Sequence, residues 1–408
     1  MRSAAIVRLR QVLGLVRRVG VLQTASLVWW RLRHGPGNLS GSDVLGAFSF
    51  INQPQRKLAA GPAAKDSLLW FVPDFNIGSG GHLNIFRTIW HMEQKGYACS
   101  IVIVRPSVHA SAAAARADIR AHFFDLRASV YLADQDLPAA EFAVATSWDT
   151  AYWVRALHGT VCKLYFVQDF EPFFYPLGSE YVLAENTYRF GFFGITAGGW
   201  LARKLAQDYG MPARAVGFGV ELDRYRQLPR REPDVKHVFF YARPPTPRRA
   251  FELGLLVLAE VAQRMPDTRF ILAGWDTGGY KIPFEHLNCG TLALDELPDL
   301  YSQCDVALVL SLTNLSLLPL ELMACGCAVV SNRGANVEWL LHEEVALLAD
   351  ATPEALAGAV CGLLADDAGR RALAARAQAF ARAQTWEQVA QDFDAGLQAA
   401  REAARCVA

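Results

Sequence analysis

Short apolar runs alternate with longer segments of helical spacing along most of the chain. In the first half, the runs lie at 68–72, 99–104, 141–147, 162–168, 192–196 and 215–220. In the second half, they lie at 237–242, 269–274, 288–291, 306–310, 328–331 and 345–348. Continuous apolar runs are typical of strands buried on both faces, and a strand–helix–strand order favours parallel pairing. The pattern therefore predicts an α/β protein built on parallel sheets.

Helices are predicted between these strands, at 83–95, 111–121, 150–157, 179–187, 199–209, 250–264, 294–302 and 318–325. An Arg- and Pro-rich stretch at 222–234 interrupts the pattern and indicates a linker. We therefore expect four parts: a basic extension with its linker, two domains of ordinary size and a terminal helical segment. Their predicted bounds are 1–66, 67–225, 226–384 and 385–408.

Composition adds limits to this picture. The chain has 408 residues, of which 52% are apolar and 20% are charged, and its formal net charge is zero. These values suit a globular protein and give no reason to expect nucleic-acid binding. The eight cysteines form no C-x-x-C pair and are predicted to be buried free thiols in a reducing compartment. No His and Cys cluster has zinc spacing, and two D-x-D triplets are expected in solvent, so no metal site is predicted.

The first 34 residues contain seven arginines and no acidic residue, with apolar positions between them. Such a basic amphipathic helix can lie in an anionic membrane surface, or it can pack on the protein's own body. The sequence has no apolar run of about 18 residues and no recognisable signal peptide. The prediction is a cytoplasmic protein, with peripheral attachment to the inner face of the plasma membrane as one alternative.

The most informative stretch is 311–333, where a polar loop and a short helix lie between two predicted strands. The loop follows the carboxyl end of a strand and leads into a helix N-terminus, where free N–H groups favour a phosphate. Glu321 lies further along this apolar helix, and a ribose diol would supply the partner that its carboxylate needs. The predicted phosphate-binding loop consists of Thr313, Asn314, Leu315 and Ser316.

A glycine-rich turn joins the first predicted strand to its helix. Gly80 and Gly81 would let a ligand approach the backbone closely, although the turn has neither the G-x-G-x-x-G spacing nor a Walker lysine. His82 is predicted to contact the acceptor or, alternatively, to cap the helix. Asp169 and Glu171 follow a later strand among aromatic residues and are candidates for the acceptor site, with a structural role as the alternative.

Cations follow the strand predicted at 237–242. Arg243 and Arg248 would contact a diphosphate, whose charge grows as the bond to its sugar breaks. Solvated surface positions are the alternative, more so for Arg249. Gly274 and Trp275 end the next strand and are predicted to border a nucleotide base.

Five segments resemble retaining glycosyltransferases of family 4, and within it the WsaF-type rhamnosyltransferases of bacterial surface polysaccharides. They are VPDFNIGSGGH at 72–82, FVQDFEP at 166–172, RPPTPR at 243–248, LTNLSLLPLE at 312–321 and MACG at 323–326. The resemblance implies a GT-B fold, in which two Rossmann-like doubly wound domains face each other across a cleft. It also implies that a terminal helix crosses back to the first domain.

The family pattern assigns roles to individual residues. Arg243 and Arg248 are implied to grip the diphosphate, Glu321 to hold the ribose, and Asp169 to belong to the catalytic set. Two positions depart from the pattern. Thr313 stands where the family has a glutamate, and the residue before Asp169 is a glutamine where many members have a histidine.

The resemblance implies a retaining hexosyltransferase without a cofactor. Its donor would be a nucleotide sugar, with dTDP-rhamnose favoured and UDP- or GDP-sugars as alternatives. Its acceptor would be a glycan or a lipid-linked glycan, as in lipopolysaccharide O-antigen synthesis. The alternative from another class is a non-catalytic GT-B-like subunit that binds a glycan or a partner transferase at the membrane.

Overall fold

The computed structural model describes residues 41–59, 63–158 and 162–407. The chain forms two compact units, Met1–Gln53 and Pro54–Ala408. In the first unit, the described part holds helix α1 (Gly41–Ala47) and a 3-10 turn (Ser49–Asn52). The basic segment predicted at 1–34 lies outside the described residues. In the described ranges, no helix has the length and apolar character needed to cross a membrane.

The second unit begins with a short pair of parallel strands, β1 and β6, and a sheet of seven parallel strands. The strand order of the sheet is β4-β3-β2-β5-β7-β8-β9. Its chain order reverses between β2 and β5, which is where a doubly wound sheet opens a crevice at its carboxyl edge. The strands are β1 (Arg56–Lys57), β2 (Ser67–Pro73), β3 (Ala98–Val104), β4 (Ser129–Leu132), β5 (Phe142–Ala145), β6 (Leu157–His158), β7 (Cys162–Val167), β8 (Phe193–Ala197) and β9 (Ala213–Val216).

Helices connect these strands and cover the sheet. Apolar side chains of the strands point alternately to two buried clusters, one on each face, as a doubly wound sheet requires. The helices are α2 (Gly80–Gln94), α3 (Ala112–His122), α4 (Trp148–Arg155), α5 (Ser179–Asn186) and α6 (Gly199–Tyr209), with 3-10 turns at Glu171–Phe174 and Thr187–Arg189.

A second sheet contains six parallel strands in the order β12-β11-β10-β13-β14-β15. Here the order reverses between β10 and β13. The strands are β10 (His237–Tyr241), β11 (Arg269–Ala273), β12 (His286–Gly290), β13 (Val306–Val309), β14 (Ala328–Asn332) and β15 (Leu347–Ala349). The helices around them are α7 (Phe251–Arg264), α8 (Leu297–Ser302), α9 (Leu318–Ala324), α10 (Ala335–Glu338), α11 (Pro353–Ala365) and α12 (Asp367–Arg382), and a 3-10 turn lies at Pro247–Arg249.

The last helix, α13 (Trp386–Val407), packs on the first sheet although it follows the second one in sequence. Trp386, Phe393 and Leu397 belong to the same buried cluster as residues of β2 and α2. Phe393 stacks on Trp70 of β2, with 5.5 Å between ring centroids. The helix therefore ties the two sheet domains together.

The two doubly wound sheets confirm the predicted fold. The predicted strands agree with the structure to within a few residues, except that β4 and the two-residue strands β1 and β6 were missed and β9 lies earlier than 215–220. The four residues of β4 are an edge strand and are partly exposed, so they lack a continuous apolar run. The carboxyl edges of both sheets meet where loops after β7 and β13 contact each other, and this edge holds most of the predicted site residues.

Candidate functional site

Three arginines gather at the reversal point of the second sheet. Arg243 follows β10, and Arg248 and Arg249 lie in the 3-10 turn that leads into α7. Arg243 is held by neutral groups, because its Nε donates to Thr246 Oγ1 at 3.1 Å and its Nη1 donates to the Tyr241 hydroxyl at 3.3 Å. The predicted pair is thus joined by a third cation, Arg249, for which a solvated position had been the stronger alternative.

Arg248 belongs to the second sheet domain but contacts the first. Its Nε lies 3.6 Å from Asp169 Oδ2, and its guanidinium lies 4.1 Å from the ring centroid of Phe174. Burial lowers the pKa of Arg248, while the charge of Asp169 raises it. Among the described residues, Asp169 is the one acid that forms an ion pair with any of the three arginines, so the cluster keeps a positive surplus.

Arg249 holds the polar loop after β13. Its Nη1 donates to Ser311 Oγ at 2.8 Å and to the Asn314 carbonyl at 3.2 Å. Burial lowers the pKa of Arg249, and the negative charge of Asp169 opposes that shift. Arg249 therefore fixes the loop that the sequence predicted to bind phosphate. A run of two arginines before a helix was the signal that could have identified it.

The carboxylate of Asp169 is enclosed by both domains. Oδ2 accepts from Thr313 Oγ1 at 2.9 Å, and Oδ1 accepts from the Asn314 backbone N–H at 2.8 Å and from the Phe170 N–H at 2.8 Å. Burial raises the pKa of Asp169, and the arginine charges and these hydrogen bonds oppose that shift. Asp169 is 8% exposed, so in this conformation its carboxylate binds groups of the protein rather than a ligand.

Two groups of the predicted phosphate-binding loop are already hydrogen-bonded within the protein in this conformation, and the remaining contacts stay predictions. The Asn314 N–H cannot bind a phosphate here because it donates to Asp169, and the residue is fully buried. Thr313 is 2% exposed and uses its hydroxyl in the same way. Leu315 is 4% exposed and its side chain belongs to the core of the second domain. Ser316 is partly exposed, at the start of the segment that enters α9.

Glu321 lies on α9 and is partly exposed. Burial raises the pKa of its carboxyl to about 7, while the charge of Arg87 and a hydrogen bond with Tyr225 oppose the shift. Within the described residues, Glu321 forms no ion pair. A partly exposed carboxyl group can accept hydrogen bonds from a diol, and the contact of Glu321 with a ribose stays a prediction.

The glycine-rich turn opens α2 at the carboxyl end of β2. Gly80 and Gly81 are exposed, and a Cβ at Gly80 would meet no atom within 4 Å, so packing does not require glycine there. The Gly81 carbonyl accepts from Gln168 Nε2 at 3.2 Å, which joins this turn to the end of β7. The turn leaves its backbone accessible, and the approach of a ligand to it stays a prediction.

Both ring nitrogens of His82 form hydrogen bonds within the protein. Its Nε2 lies 3.1 Å from the Pro73 carbonyl, which can only accept, so this nitrogen carries the proton. Its Nδ1 then accepts from the Ser79 hydroxyl at 2.8 Å. Burial lowers the pKa of His82. The ring therefore braces the glycine turn, which is closer to the predicted alternative of a cap than to an acceptor contact.

Glu171 lies behind the aromatic residues that follow β7 and is 6% exposed. Its carboxyl accepts from the Tyr165 hydroxyl at 2.6 Å and from the Trp148 backbone N–H at 2.9 Å. Burial raises its pKa to about 8. Glu171 therefore anchors the 3-10 turn from below, and the geometry does not support the acceptor contact that we predicted for it.

Gly274 and Trp275 follow β11 directly. Gly274 has φ +111°, and a Cβ on it would lie 2.4 Å from the Tyr241 ring, so only glycine lets that ring approach. The Tyr241 hydroxyl in turn accepts from Arg243. Trp275 is 42% exposed and offers an indole face at the same edge of the sheet. In the part of the chain that the structure describes, no cluster of His, Cys, Asp and Glu could hold a metal ion.

Two doubly wound parallel-sheet domains that meet through their carboxyl edges define the GT-B fold, and residues 236–361 match the family model described as WsaF, C-terminal domain. This match is to the family that the resemblance named. The chain is 35% identical over 336 residues to the O-antigen biosynthesis protein RfbC of Myxococcus xanthus. The match covers 79% of this chain and 26% of RfbC, so the chain spans about a quarter of that relative.

Solved structures with the same fold differ widely in sequence. HepE of Anabaena in complex with UDP superposes with a TM-score of 0.63 at 16% identity, covering 82% of this chain and 100% of HepE. A mutant of S. aureus TarM in complex with Fondaparinux, alpha-GlcNAc-glycerol and UDP superposes with a TM-score of 0.65 at 8% identity, covering 81% and 99%. These likenesses show the fold.

Proposed function

We propose that the protein is a glycosyltransferase that moves a sugar from a nucleotide-sugar donor to a hydroxyl group of a growing cell-surface glycan. The observation that carries this proposal is the arginine cluster. Arg243, Arg248 and Arg249 lie at the reversal point of the second sheet, and among the described residues only Arg248 has an acidic ion-pair partner, Asp169. A nucleoside diphosphate supplies the negative charge that this edge lacks.

The comparisons support the same class of reaction. The relative RfbC is named for O-antigen biosynthesis, and HepE and TarM were solved with UDP. A GT-B fold alone does not define a function. The arginine surplus and the partly exposed Glu321 are the features of this chain that add to the likeness.

In the proposed donor complex, each exposed group has one task. Arg243 and Arg248 bind the diphosphate, and Glu321 accepts hydrogen bonds from the ribose hydroxyls. Trp275 borders the base, and the open backbone at Gly80 and Gly81 leaves room for the donor on the side of the first domain. Arg249 acts indirectly by holding the loop after β13.

The proposed chemistry follows from the leaving group. As the bond between the anomeric carbon and the diphosphate breaks, negative charge grows on the phosphate oxygens, and the arginines stabilise that charge. The acceptor hydroxyl attacks the same face of the sugar and gives its proton to the departing phosphate, which yields retention. No pair of glycosidase-type carboxylates is required.

The nature of the sugar rests on the WsaF resemblance. We favour L-rhamnose carried by dTDP, with UDP- and GDP-sugars as alternatives. Thr313 stands where the family has a glutamate, and a 6-deoxyhexose offers one hydroxyl fewer to be held. No cofactor is needed besides the donor itself.

The acceptor side is proposed to lie on the first domain, beside Arg248. Phe173 lies in the 3-10 turn that Glu171 anchors and is 45% exposed, and Leu177, which follows that turn, is 85% exposed. Aromatic faces suit the apolar faces of sugar rings, so a glycan or a lipid-linked glycan fits this edge.

We place the protein in the cytoplasm, where its described cysteines stay free. Attachment of residues 1–34 to an anionic membrane is a further part of the proposal.

The test combines binding and turnover. Purified protein is screened by thermal shift against UDP, dTDP and GDP and their sugars, because a ligand that binds the native state raises the unfolding temperature. The nucleotide sugar that gives a shift is then incubated with a lipid-linked glycan extract, and release of the nucleoside diphosphate is measured. We expect one nucleotide to stabilise the protein and its sugar to be transferred.

Each contrary result has a distinct meaning. Stabilisation without transfer to any glycan would favour the non-catalytic subunit. Absence of a shift with every nucleotide, in protein that is folded by circular dichroism, would contradict the donor site. Stabilisation by UDP or GDP in place of dTDP would overturn the assignment of rhamnose and leave the transferase reaction standing.

A further inference from the structure

We propose that Asp169, Thr313 and Asn314 form an interdomain clasp that positions Arg248 for the transfer step. In this reading, Thr313 is a positioning residue that acts through Asp169, and it does not contact the donor sugar. The kinetic consequence rests on the proposed function, whereas the closure of the two domains can be measured without it.

The clasp joins loops of different domains through several hydrogen bonds. Besides the two bonds that Asp169 accepts from Thr313 and Asn314, the Asn314 side-chain amide donates to the Gln168 carbonyl at 2.9 Å and to the Ala197 carbonyl at 2.7 Å. These carbonyls end β7 and β8 of the first sheet. Asn314 Oδ1 accepts from Trp339 Nε1 at 2.8 Å, so every polar group of this side chain has a partner.

The chemistry of the clasp suits a reversible contact. Each bond joins polar groups or the Asp169 carboxylate, and water can replace each partner when the domains separate, so the net free energy of each bond is only a fraction of its strength in an apolar medium. An apolar interface of the same size would hold the domains together more firmly. In the closed arrangement, Asn314 and Thr313 are almost fully buried between the domains. Their bonds to the first domain exist only while the domains are closed.

The contact beside the clasp is equally close. Trp339 lies against Gly198, where φ is +91° and an added Cβ would be 2.5 Å from the indole ring. Glycine at this position lets the two domains approach to ring contact. The clasp therefore has a defined closed geometry that a bulkier residue at 198 would prevent.

Closure also decides where Arg248 points. Arg248 is a residue of the second domain, yet its guanidinium contacts Asp169 and Phe174 of the first. Separation of the domains removes both contacts at once, and the long side chain is then free to change rotamer. Arg249 differs, because its partners Ser311 and Asn314 belong to its own domain.

A consequence for the reaction follows. The donor binds mainly to the second domain, so loss of the clasp leaves donor affinity largely intact. Loss of the clasp lowers the rate of transfer, because Arg248 is no longer fixed where charge develops on the diphosphate. It also admits water to the donor, so hydrolysis rises relative to transfer.

The variant Thr313→Val removes one hydroxyl donor and keeps the shape of the side chain. We expect its transfer rate to fall by about tenfold, since a hydrogen bond to a charged group is lost. We expect the fraction of donor hydrolysed to rise severalfold and the dissociation constant of the nucleoside diphosphate to change by less than about threefold. Thr313→Ser keeps the hydroxyl and should restore the transfer rate and the low hydrolysis.

The matched control is Ser331→Ala. Ser331 is fully buried in the second domain, and its hydroxyl donates to the Val309 carbonyl at 2.7 Å within the same sheet. This variant removes a buried hydroxyl without touching the interface, so we expect the ratio of hydrolysis to transfer to stay at the wild-type value. A ratio that rises equally in both variants would show a general loss of packing and would overturn the proposal.

Small-angle X-ray scattering supplies a readout that needs no activity. The radius of gyration of ligand-free Thr313→Val should exceed that of wild type, because the clasp no longer favours the closed state, and Ser331→Ala should match wild type. The clasp is contradicted if Thr313→Val keeps the wild-type radius of gyration and, where transfer is measurable, the wild-type rate. If no sugar is transferred by any variant, the proposed function fails while the scattering result still decides whether the clasp exists.

Discussion

At position 313 a hydroxyl stands where the related transferases have a glutamate, and the structure brings a carboxylate to it from the other domain. Asp169 Oδ2 lies 2.9 Å from Thr313 Oγ1. A glutamate at 313 would place a second negative charge against Asp169, so the threonine fits its surroundings. The departure from the family pattern is thus accommodated by a specific neighbour rather than by an empty space.

Glu171 shows that the surroundings of a residue, more than its type, decide its role. The sequence suggested an exposed acid among aromatic rings, but burial raises the pKa of its carboxyl to about 8. Below pH 4.5 the carboxyl holds its proton in both the folded and the unfolded chain. Between about pH 4.5 and pH 8 only the folded state keeps it, so this group lowers the free energy of unfolding as the pH rises through that window.

The variant Glu171→Gln tests this assignment. We expect the fall in unfolding free energy between pH 5 and pH 8 to become shallower by at most about 1.4 kcal/mol per pH unit, which is the limit for one proton. The measurement is urea denaturation at a series of pH values. Glu180→Gln, which changes an exposed acid nearby on α5, should keep the wild-type slope. An unchanged slope in Glu171→Gln would show that Glu171 is ionised in the folded protein.

Among the elements, the turn and helix after β10 matter most, because they carry the arginine cluster. Helix α7 packs on the sheet through Gly254, where an added Cβ would lie 2.0 Å from the ring of Phe240. Phe240 is 1% exposed and lies on β10, the strand that ends beside Arg243. The close approach of helix and strand therefore sets the height of the arginines above the sheet.

Replacing Gly254 by alanine should force this helix and strand apart. We expect the free energy of unfolding to fall by about 1–3 kcal/mol, as for overpacked cores. Urea denaturation gives the value. Gly362→Ala is the control, because Gly362 lies in helix α11 with nothing within 4 Å of an added Cβ, and the better helix propensity of alanine should leave stability equal or higher. Equal effects of the two substitutions would contradict a tight contact at Gly254.

At the level of helices, strands and loops, much of the structure could be predicted from the sequence. Buried parallel strands have apolar runs, and glycine-rich or charged loops after them mark the carboxyl edge, so the sheets and Arg243, Arg248 and Glu321 could be placed. The partners of each side chain could not, because they come from residues distant in sequence. Asp169 and Asn314 are 145 positions apart, and no local pattern shows that the Asn314 N–H is already donated.

On the scale of the whole molecule, helix α13 and the clasp both connect the two sheet domains. Helix α13 returns to the first domain, and the clasp joins the carboxyl edges. Arg87 of α2 fastens the start of α13 to the first domain, because it forms an ion pair with Glu221 and lies 4.3 Å from the ring of Trp386. The long helix gives a permanent connection, whereas the clasp is made of bonds that water can replace. This arrangement suits domains that open to admit a donor and close to exclude water.

In the proposed mechanism, a nucleoside diphosphate is bound by an arginine that contacts both domains. Calorimetric titration of dTDP, UDP and GDP into wild type, Arg248→Gln and Arg264→Gln tests it directly. Arg264 lies at the far end of α7 and pairs with Glu260, so its loss controls for a lower positive charge. We predict that one nucleotide binds wild type and Arg264→Gln with similar affinity and binds Arg248→Gln at least about tenfold more weakly, because a charge-assisted hydrogen bond is lost. Failure of all three nucleotides to bind wild type, or equal binding by Arg248→Gln, would contradict the account.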